Sequence, residues 1–414
     1  MKAYIIVTLN LCTMHGANMY IYNKTQYLKE HGYRVFVYSA EQGEIVIPGL
    51  REYAPYQSPY LRFYPGCFSK GKIRQLLKKI RSDIGADQYE EIIVESTNLF
   101  SALWGELLSE QLKCKHLVFI LQESFDYTKS EQEYLRFKFS RHELAGINPF
   151  SVRKMLADEN LPVDDSAYIL AYCNNSIDDC EDQISPRLNS HAALTIGSIG
   201  RLEKKYVLPL AAQLREYCQK RPDKVFNIVF VGGTREQKQI HRIEDLFKEC
   251  RNVNLVLAGV QFPVPRSFAD RCDFFISAAG SARATYYYNY PTICLNPGAG
   301  DIIGIPGLTC QDDYTIYSSC APISKLEEYI ALLLEKKEEI QFTGSMDDGS
   351  YKREMTAEFD RQLRFLDLCS DFRYYDTYKI KFESRSYRPF NVLGKFVHAQ
   401  LLYDGLVLAR KLLK

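Results

Sequence analysis

"LTIGSIGRLEKKY", Leu194 to Tyr206, runs from a nearly unbroken apolar stretch through two glycines to three cations, Arg201, Lys204 and Lys205. An apolar run without polar alternation reads as a strand covered on both faces, which places it in a parallel sheet between layers of helix. A strand that ends on glycine and then presents cations is suited to holding a doubly charged phosphate group. The plainer reading is a charged loop at the edge of a sheet.

The pattern repeats on either side. Downstream come the helical "LPLAAQLREYCQK", the strand "FNIVFVGG", the helical "EQKQIHRIEDLFKEC", and the apolar runs "NVNLVLAG", "CDFFISAAG" and "YPTICLN". Upstream, "AYIIVTL" (3–9), "YRVFVYSA" (33–40), "EEIIVES" (90–96) and "HLVFILQE" (116–123) alternate with the helical "YIYNKTQYLKEHG" and "LFSALWGELLSEQL". Between the two series, Cys180 to Ala192 is polar, contains Pro186 and has no periodicity, so it reads as a linker. The expectation is two tandem α/β, Rossmann-like doubly wound domains, 1–185 and 192–385, with ligands in the gap dividing them. Residues 386–414 carry an apolar stripe, Val392, Phe396, Val397, Leu401, Leu402, Leu406 and Leu408, expected to be buried by a helix returning to the first domain. The competing reading is a helix lying on a membrane surface, drawn by Arg410, Lys411 and Lys414.

Composition bounds the function. The 52 basic and 51 acidic side chains of the 414-residue chain nearly cancel, leaving no overall field to attract nucleic acid, so an anion site has to be local. Twelve cysteines stand singly, without a C-x-x-C pair, as expected of a reduced, cytoplasmic protein. The opening "MKAYIIVTLN" turns polar too soon for a signal peptide and reads as a first strand. No segment offers the ~18 apolar residues of a spanning helix, so membrane contact, if made, is peripheral at the inner face.

Together these pieces resemble the GT-B glycosyltransferases, in particular the retaining, sugar-nucleotide-dependent family of polysaccharide and lipopolysaccharide enzymes. "GSIGRLEKKY" resembles that family's Gly-Arg-Leu segment, and the resemblance implies that Arg201, with Lys204 or Lys205, binds the donor diphosphate. The family's lysine, however, falls on Tyr206. "MHGANMY" occupies the place of the glycine loop after the first strand, which implies that Gly16 and Ala17 approach the sugar. "AYCNNSID", Ala171 to Asp178, resembles the segment leading out of the first domain. Gly232 and Gly233 fall on the turn beside the nucleotide, and Val260 and Phe262 on the loop that flanks the base.

The paired glutamates of the retaining family are absent: counting back from Pro291, their places hold Ala284 and Ile276. Gly280, Ser281 and Ala282 instead form a small-residue turn opening a helix, similar to the phosphate turn of inverting relatives, and Asp301 in "PGAGD" is placed to accept from a sugar hydroxyl. Glu123, Asp126 and His15 are the candidate catalytic bases. The resemblance implies transfer from a UDP- or GDP-linked sugar to a glycan or lipid-linked acceptor in cell-surface polysaccharide synthesis. It implies no metal and no cofactor, the nucleotide-sugar being the substrate. The alternative is a non-catalytic accessory subunit that binds a partner enzyme or a glycan.

Overall fold

The computed structural model describes residues 1–54, 56–121, 127–163, 167–168, 176–234, 236–298, 300–310, 325–342, 350–368, 371–380 and 390–412. The chain divides into two compact units, one comprising Met1–Thr13, Ala17–Tyr172 and Met355–Lys414, the other Met14–Gly16 and Cys173–Glu354.

The first unit holds strands β1 (Lys2–Thr8), β2 (Tyr33–Ser39), β3 (Tyr56–Gln57), β4 (Glu91–Ser96), β5 (Lys115–Phe119) and β6 (Leu144–Ala145) in the order β3-β2-β1-β4-β5-β6. Every pairing in it is parallel. Helices α1 (Gly16–Glu30), α2 (Lys70–Ile84), α3 (Leu99–Leu112), α4 (Lys129–Phe139) and α5 (Pro149–Leu156) belong to this unit. The run 99–112 is helical over the range its sequence predicts, its start fixed by a reciprocal cap between Asn98 and Ser101. Helix α2 has no counterpart among the sequence expectations. It buries Ile73, Leu76, Leu77, Ile80 and Ile84, starts on the Ser69 hydroxyl and stops at left-handed Gly85.

In the second unit, β7 (Ile177–Asp178) pairs with β11 (Val264–Pro265). The main sheet there is built from β8 (Leu194–Ile199), β9 (Phe226–Val231), β10 (Val253–Gly259), β12 (Phe274–Ala278), β13 (Thr292–Leu295) and β14 (Ile302–Gly304) in the order β10-β9-β8-β12-β13-β14. It is parallel except for β14, which runs antiparallel to β13. Helices α6 (Val207–Gln219), α7 (Gln237–Phe247), α8 (Arg266–Ala269), α9 (Ala279–Tyr287) and α10 (Leu326–Glu335) accompany it. Each main sheet therefore has its first strand central and its fourth on the other side of it, the doubly wound order.

The chain rejoins the first unit at Met355, inside α11 (Ser350–Phe365), some thirty residues before the expected boundary at 386. The face of α11 that docks is mixed. Glu358 and Gln362 are buried on it beside Phe359 and Phe365, so its apolar stripe is interrupted. Lys24, with no solvent exposure, donates to Gln362 Oε1 and lies over the rings of Phe359 and Tyr4 at 4.8 and 5.5 Å. Tyr20 donates to Glu95 at 2.7 Å with its hydroxyl 3.0 Å from Gln362 Oε1, and Tyr27 donates to Asp360. Farther on, Arg141 holds Asp371 at 2.8 Å and the Tyr375 amide donates to Glu106 at 2.8 Å. After α12 (Phe390–Leu393), α13 (Ala399–Leu412) seats Leu402 in the first core. The rest of the expected stripe is otherwise placed: Val392, Phe396, Leu401 and Leu408 are exposed and Val397 is half-buried.

Ser96, His116 and Glu106 form a line, Ser96 Oγ to His116 Nε2 at 3.0 Å and His116 Nδ1 to Glu106 Oε2 at 2.8 Å. It has the order of a nucleophile, base and orienting acid, but all three residues are fully buried and no substrate reaches them. Burial and then Lys138 lower the pKa of His116. Burial alone would raise Glu106, but Lys138 and His116 outweigh it and hold the carboxyl at about 2. The line is part of the core.

Two expectations follow. A Cβ on Gly105 would lie 2.3 Å from Ser96 Oγ and 2.5 Å from His116 Nε2. Gly105→Ala should therefore cost about 1–3 kcal/mol in chemical denaturation, against the gain of ~1 kcal/mol that alanine brings to an open helix position. Burial lowers the pKa of Lys24 from 10.5 to about 8, against the pull of Glu95, Glu358 and Asp360. Between those pH values the unfolded chain keeps a proton that the folded chain has shed, so stability climbs with pH by roughly 3 kcal/mol. Lys24→Met should flatten that climb, and a variant curve that still rises there assigns it to another group.

Candidate functional site

In the second unit β8 and β12 are the neighbouring strands at which the sheet order reverses, where a doubly wound sheet opens a crevice beyond its carboxyl ends. Gly200 and Arg201 leave β8 there, and Ala279 and Gly280 leave β12. The two ends are tied by a buried hydrogen bond from the Ile199 amide to Ser277 Oγ, 2.9 Å. The end of β9 is stitched on by backbone: the Gly200 amide donates to Val231 (2.9 Å), that of Leu202 to Gly233 (3.1 Å) and that of Gly232 to Gly259 (2.8 Å). A Cβ at Gly232, whose φ is +156°, would sit 1.9 Å from the Gly200 carbonyl oxygen, so this approach admits only glycine. Gln239 on α7, itself buried, donates to the Leu202 carbonyl at 2.8 Å and fixes the loop that carries Arg201.

Arg201 is partly exposed and its Nη1 lies 3.1 Å from Glu203 Oε1. The other Glu203 oxygen is buried and has no hydrogen-bond partner. Lys204 and Lys205 are exposed beside them. Tyr206, where the resembled family has lysine, is buried, and its hydroxyl and Cβ fill the space under Gly200 and Gly300. Burial pushes its pKa up to about 12, with Arg201 opposing. The lysine of the family pattern is thus replaced by a packing element.

Helix α9 starts on Ala279, whose φ of +49° lies in the left-handed region that alanine rarely adopts. Its N-cap, Ala278, has no side-chain oxygen to offer the first-turn amides. Gly280 and Ser281 are half-buried and Ala282 is buried, so the turn is small, strained and rich in amides. Ile276 inside β12 and Ala284 on α9 are both fully buried, and the places of the missing glutamates belong to the apolar core. Val260 is exposed and packs against Gly233, Phe262 is half-buried, and Asp301 is exposed, its backbone carbonyl accepting from Asn296 at 2.8 Å.

In the first unit the corresponding reversal lies between β1 and β4, where Thr97 Oγ1 donates to Thr8 Oγ1 at 2.9 Å. The loop after β1 is closed by Asn10, whose Oδ1 accepts from the amides of Cys12 (2.7 Å) and Thr13 (3.2 Å). His15, Gly16 and Ala17 follow, all half-buried, at the start of α1, His15 and Gly16 being grouped with the second unit and Ala17 with the first. Asn18 behind them is buried. Its Nδ2 donates to the Thr13 carbonyl at 2.7 Å, and its Oδ1 has no hydrogen-bond partner. Glu123 and Asp126 lie outside the described residues, as does 171–175 of "AYCNNSID". The structure thus brings Arg201, Gly232, Gly233 and the Gly280 turn to one set of strand ends, with His15, Gly16 and Ala17 at another. Sequence reasoning missed Ser277, Glu203, Gln239, Ala279 and Asn18.

No family model matches the sequence, and no curated protein matches it in sequence. Solved structures do match the fold. A glycosyltransferase from Rickettsia africae superposes with a TM-score of 0.58 at 12% identity, over 89% of this chain and 96% of that one. HepE of Anabaena in complex with UDP gives 0.58 at 12% identity, over 87% and 98%. The same protein with UDP and glucose gives 0.56 at 12%, over 87% and 98%. The fold is that of the GT-B glycosyltransferases, two Rossmann-like units in one chain, as the sequence resemblance implies.

Gly232→Ala is expected to lower the denaturation free energy by about 2–4 kcal/mol, from collision with the Gly200 carbonyl added to a φ that alanine avoids. A loss below about 1 kcal/mol would mean that the ends of β8 and β9 separate without cost.

Proposed function

We propose that the protein transfers a sugar from a UDP-linked donor to a glycan or lipid-linked acceptor, with the donor held by the second unit. The carrying observation is the meeting, at one strand reversal, of Arg201 and the strained start of α9, whose N-cap is an alanine. Anions are stabilised at such a helix start, and guanidinium forks onto two phosphate oxygens. As the glycosidic bond breaks, negative charge grows on the departing diphosphate, where these groups offset it. The similarity to HepE, solved with UDP and with UDP and glucose, supports uridine over guanosine.

The Arg201–Glu203 pair fits this role. A free carboxylate beside a diphosphate is repulsive, but one that holds the guanidinium in the empty site positions it for the incoming phosphates. Val260 and Phe262 flank the base, and Asp301 accepts from the sugar. Acceptor binding belongs to the start of α1, where His15 is the described candidate base and the half-buried Gly16 and Ala17 offer backbone contacts to hydroxyls. Charge is neutralised by protein cations and amides, with no metal required, and the reaction takes place in the cytoplasm. Cell-surface polysaccharide synthesis is the setting that the sequence resemblance implies.

The second reading, a non-catalytic accessory subunit, draws on one observation: the positions of the paired glutamates are buried and apolar. The two are separated by thermal shift with UDP, GDP, CDP and ADP and their sugars, followed by donor hydrolysis. UDP should raise the melting temperature of the wild type, and Arg201→Ala should weaken its binding about tenfold to a hundredfold, the worth of one or two charge-assisted hydrogen bonds. Absence of a shift with every nucleotide selects the accessory reading.

A further inference from the structure

Five of the eleven large apolar side chains exposed among the described residues fall in one short segment. Val392, Leu393, Phe396, Leu401 and Leu408 lie within seventeen residues, with Phe396 80% and Leu401 65% exposed. On α13, Leu401 and Leu408 stand seven apart, two helical turns, and so share a face. This face is not the side of a loosely attached tail. Lys72 on α2 donates to the carbonyls of Gly394 (3.3 Å) and Val397 (3.0 Å), Cys67 meets Asn391 Oδ1 at 3.4 Å, and Leu402 is seated in the first core. The segment is pinned along its inner side, which holds the apolar residues outward.

Charge tells which surface covers them. Residues 390–414 contain Lys395, Arg410, Lys411 and Lys414 against the single acid Asp404, in a chain that is otherwise close to balanced. An anionic lipid surface takes both the apolar side chains and the cations. No described helix is long and apolar enough to cross a membrane, so the mode is lying on the surface.

We infer that residues 390–412 dock the first unit onto an anionic lipid surface, with Phe396, Leu401 and Leu408 entering the headgroup boundary. The inference does not depend on the transferase reading, because surface binding is measured without donor or acceptor. Full-length protein is floated with vesicles of phosphatidylcholine alone or mixed with phosphatidylglycerol, in low and high salt, and its oligomeric state is measured by sedimentation without lipid. Wild type should be captured at least about tenfold better by the mixed vesicles, with the preference fading in high salt. The triple variant Phe396→Ser, Leu401→Ser, Leu408→Ser should lose about tenfold or more of that capture at an unchanged melting temperature, since it alters only exposed side chains. Should the triple variant unfold, Lys395→Glu, a single exposed change, is expected to weaken capture in low salt alone. Equal capture by both vesicle types, capture by neither, or capture untouched by the variants overturns the proposal. A lipid-free dimer that the triple variant dissolves overturns it in favour of a second copy.

Discussion

Lys24 places its ammonium where there is no water, against one amide oxygen and the faces of two rings, and the oxygen and one ring come from a helix more than three hundred residues later in the chain. A parallel sheet needs cover on both faces. For the first sheet part of that cover is α11, attached through hydrogen bonds to Lys24 and Tyr27. Without Gln362 the lysine would be left buried and poorly met, which is far costlier than losing an ordinary surface contact. This dock thus fixes where α11 lies, and with it the path of the segment from Met355 to the end of α13.

The fold was largely readable because its strands are continuous apolar runs and its first-unit helix at 99–112 is capped by its own neighbours, Asn98 and Ser101. Local signals of that kind need no knowledge of partners. The return of the chain was misplaced for the opposite reason. "SYKREMTAEFDRQLRF" buries a glutamate and a glutamine beside two phenylalanines, so its inward face is a broken stripe, whereas the strongly apolar stretch after 390 remains mostly outside. Hydrophobic periodicity locates faces that want cover; it does not report which are given it.

The candidate site divides in the same way. Arg201 and the glycines at the strand ends stand out in sequence because composition changes abruptly there. Ser277, Gln239 and Glu203 do not, since each acts through a partner that only the sheet order brings near: Ser277 reaches a residue 78 positions away. Ala279 is hidden differently, as a residue whose identity gives no hint of a left-handed backbone. Tyr206 corrects the simple transfer of a motif. The position is occupied by a buried ring that supports two glycine loops, and a cation placed there would have to be desolvated among apolar neighbours.

The discontinuous first unit also bears on how the chain is made. On the ribosome, the first sheet emerges long before the helix that caps its buried lysine, with about 180 residues of the second unit synthesised between them. At ~5–20 residues per second that interval lasts roughly ten to forty seconds. Throughout it the nascent sheet is a client for any holdase within reach, while the second unit, contiguous but for a few early residues, closes on itself first.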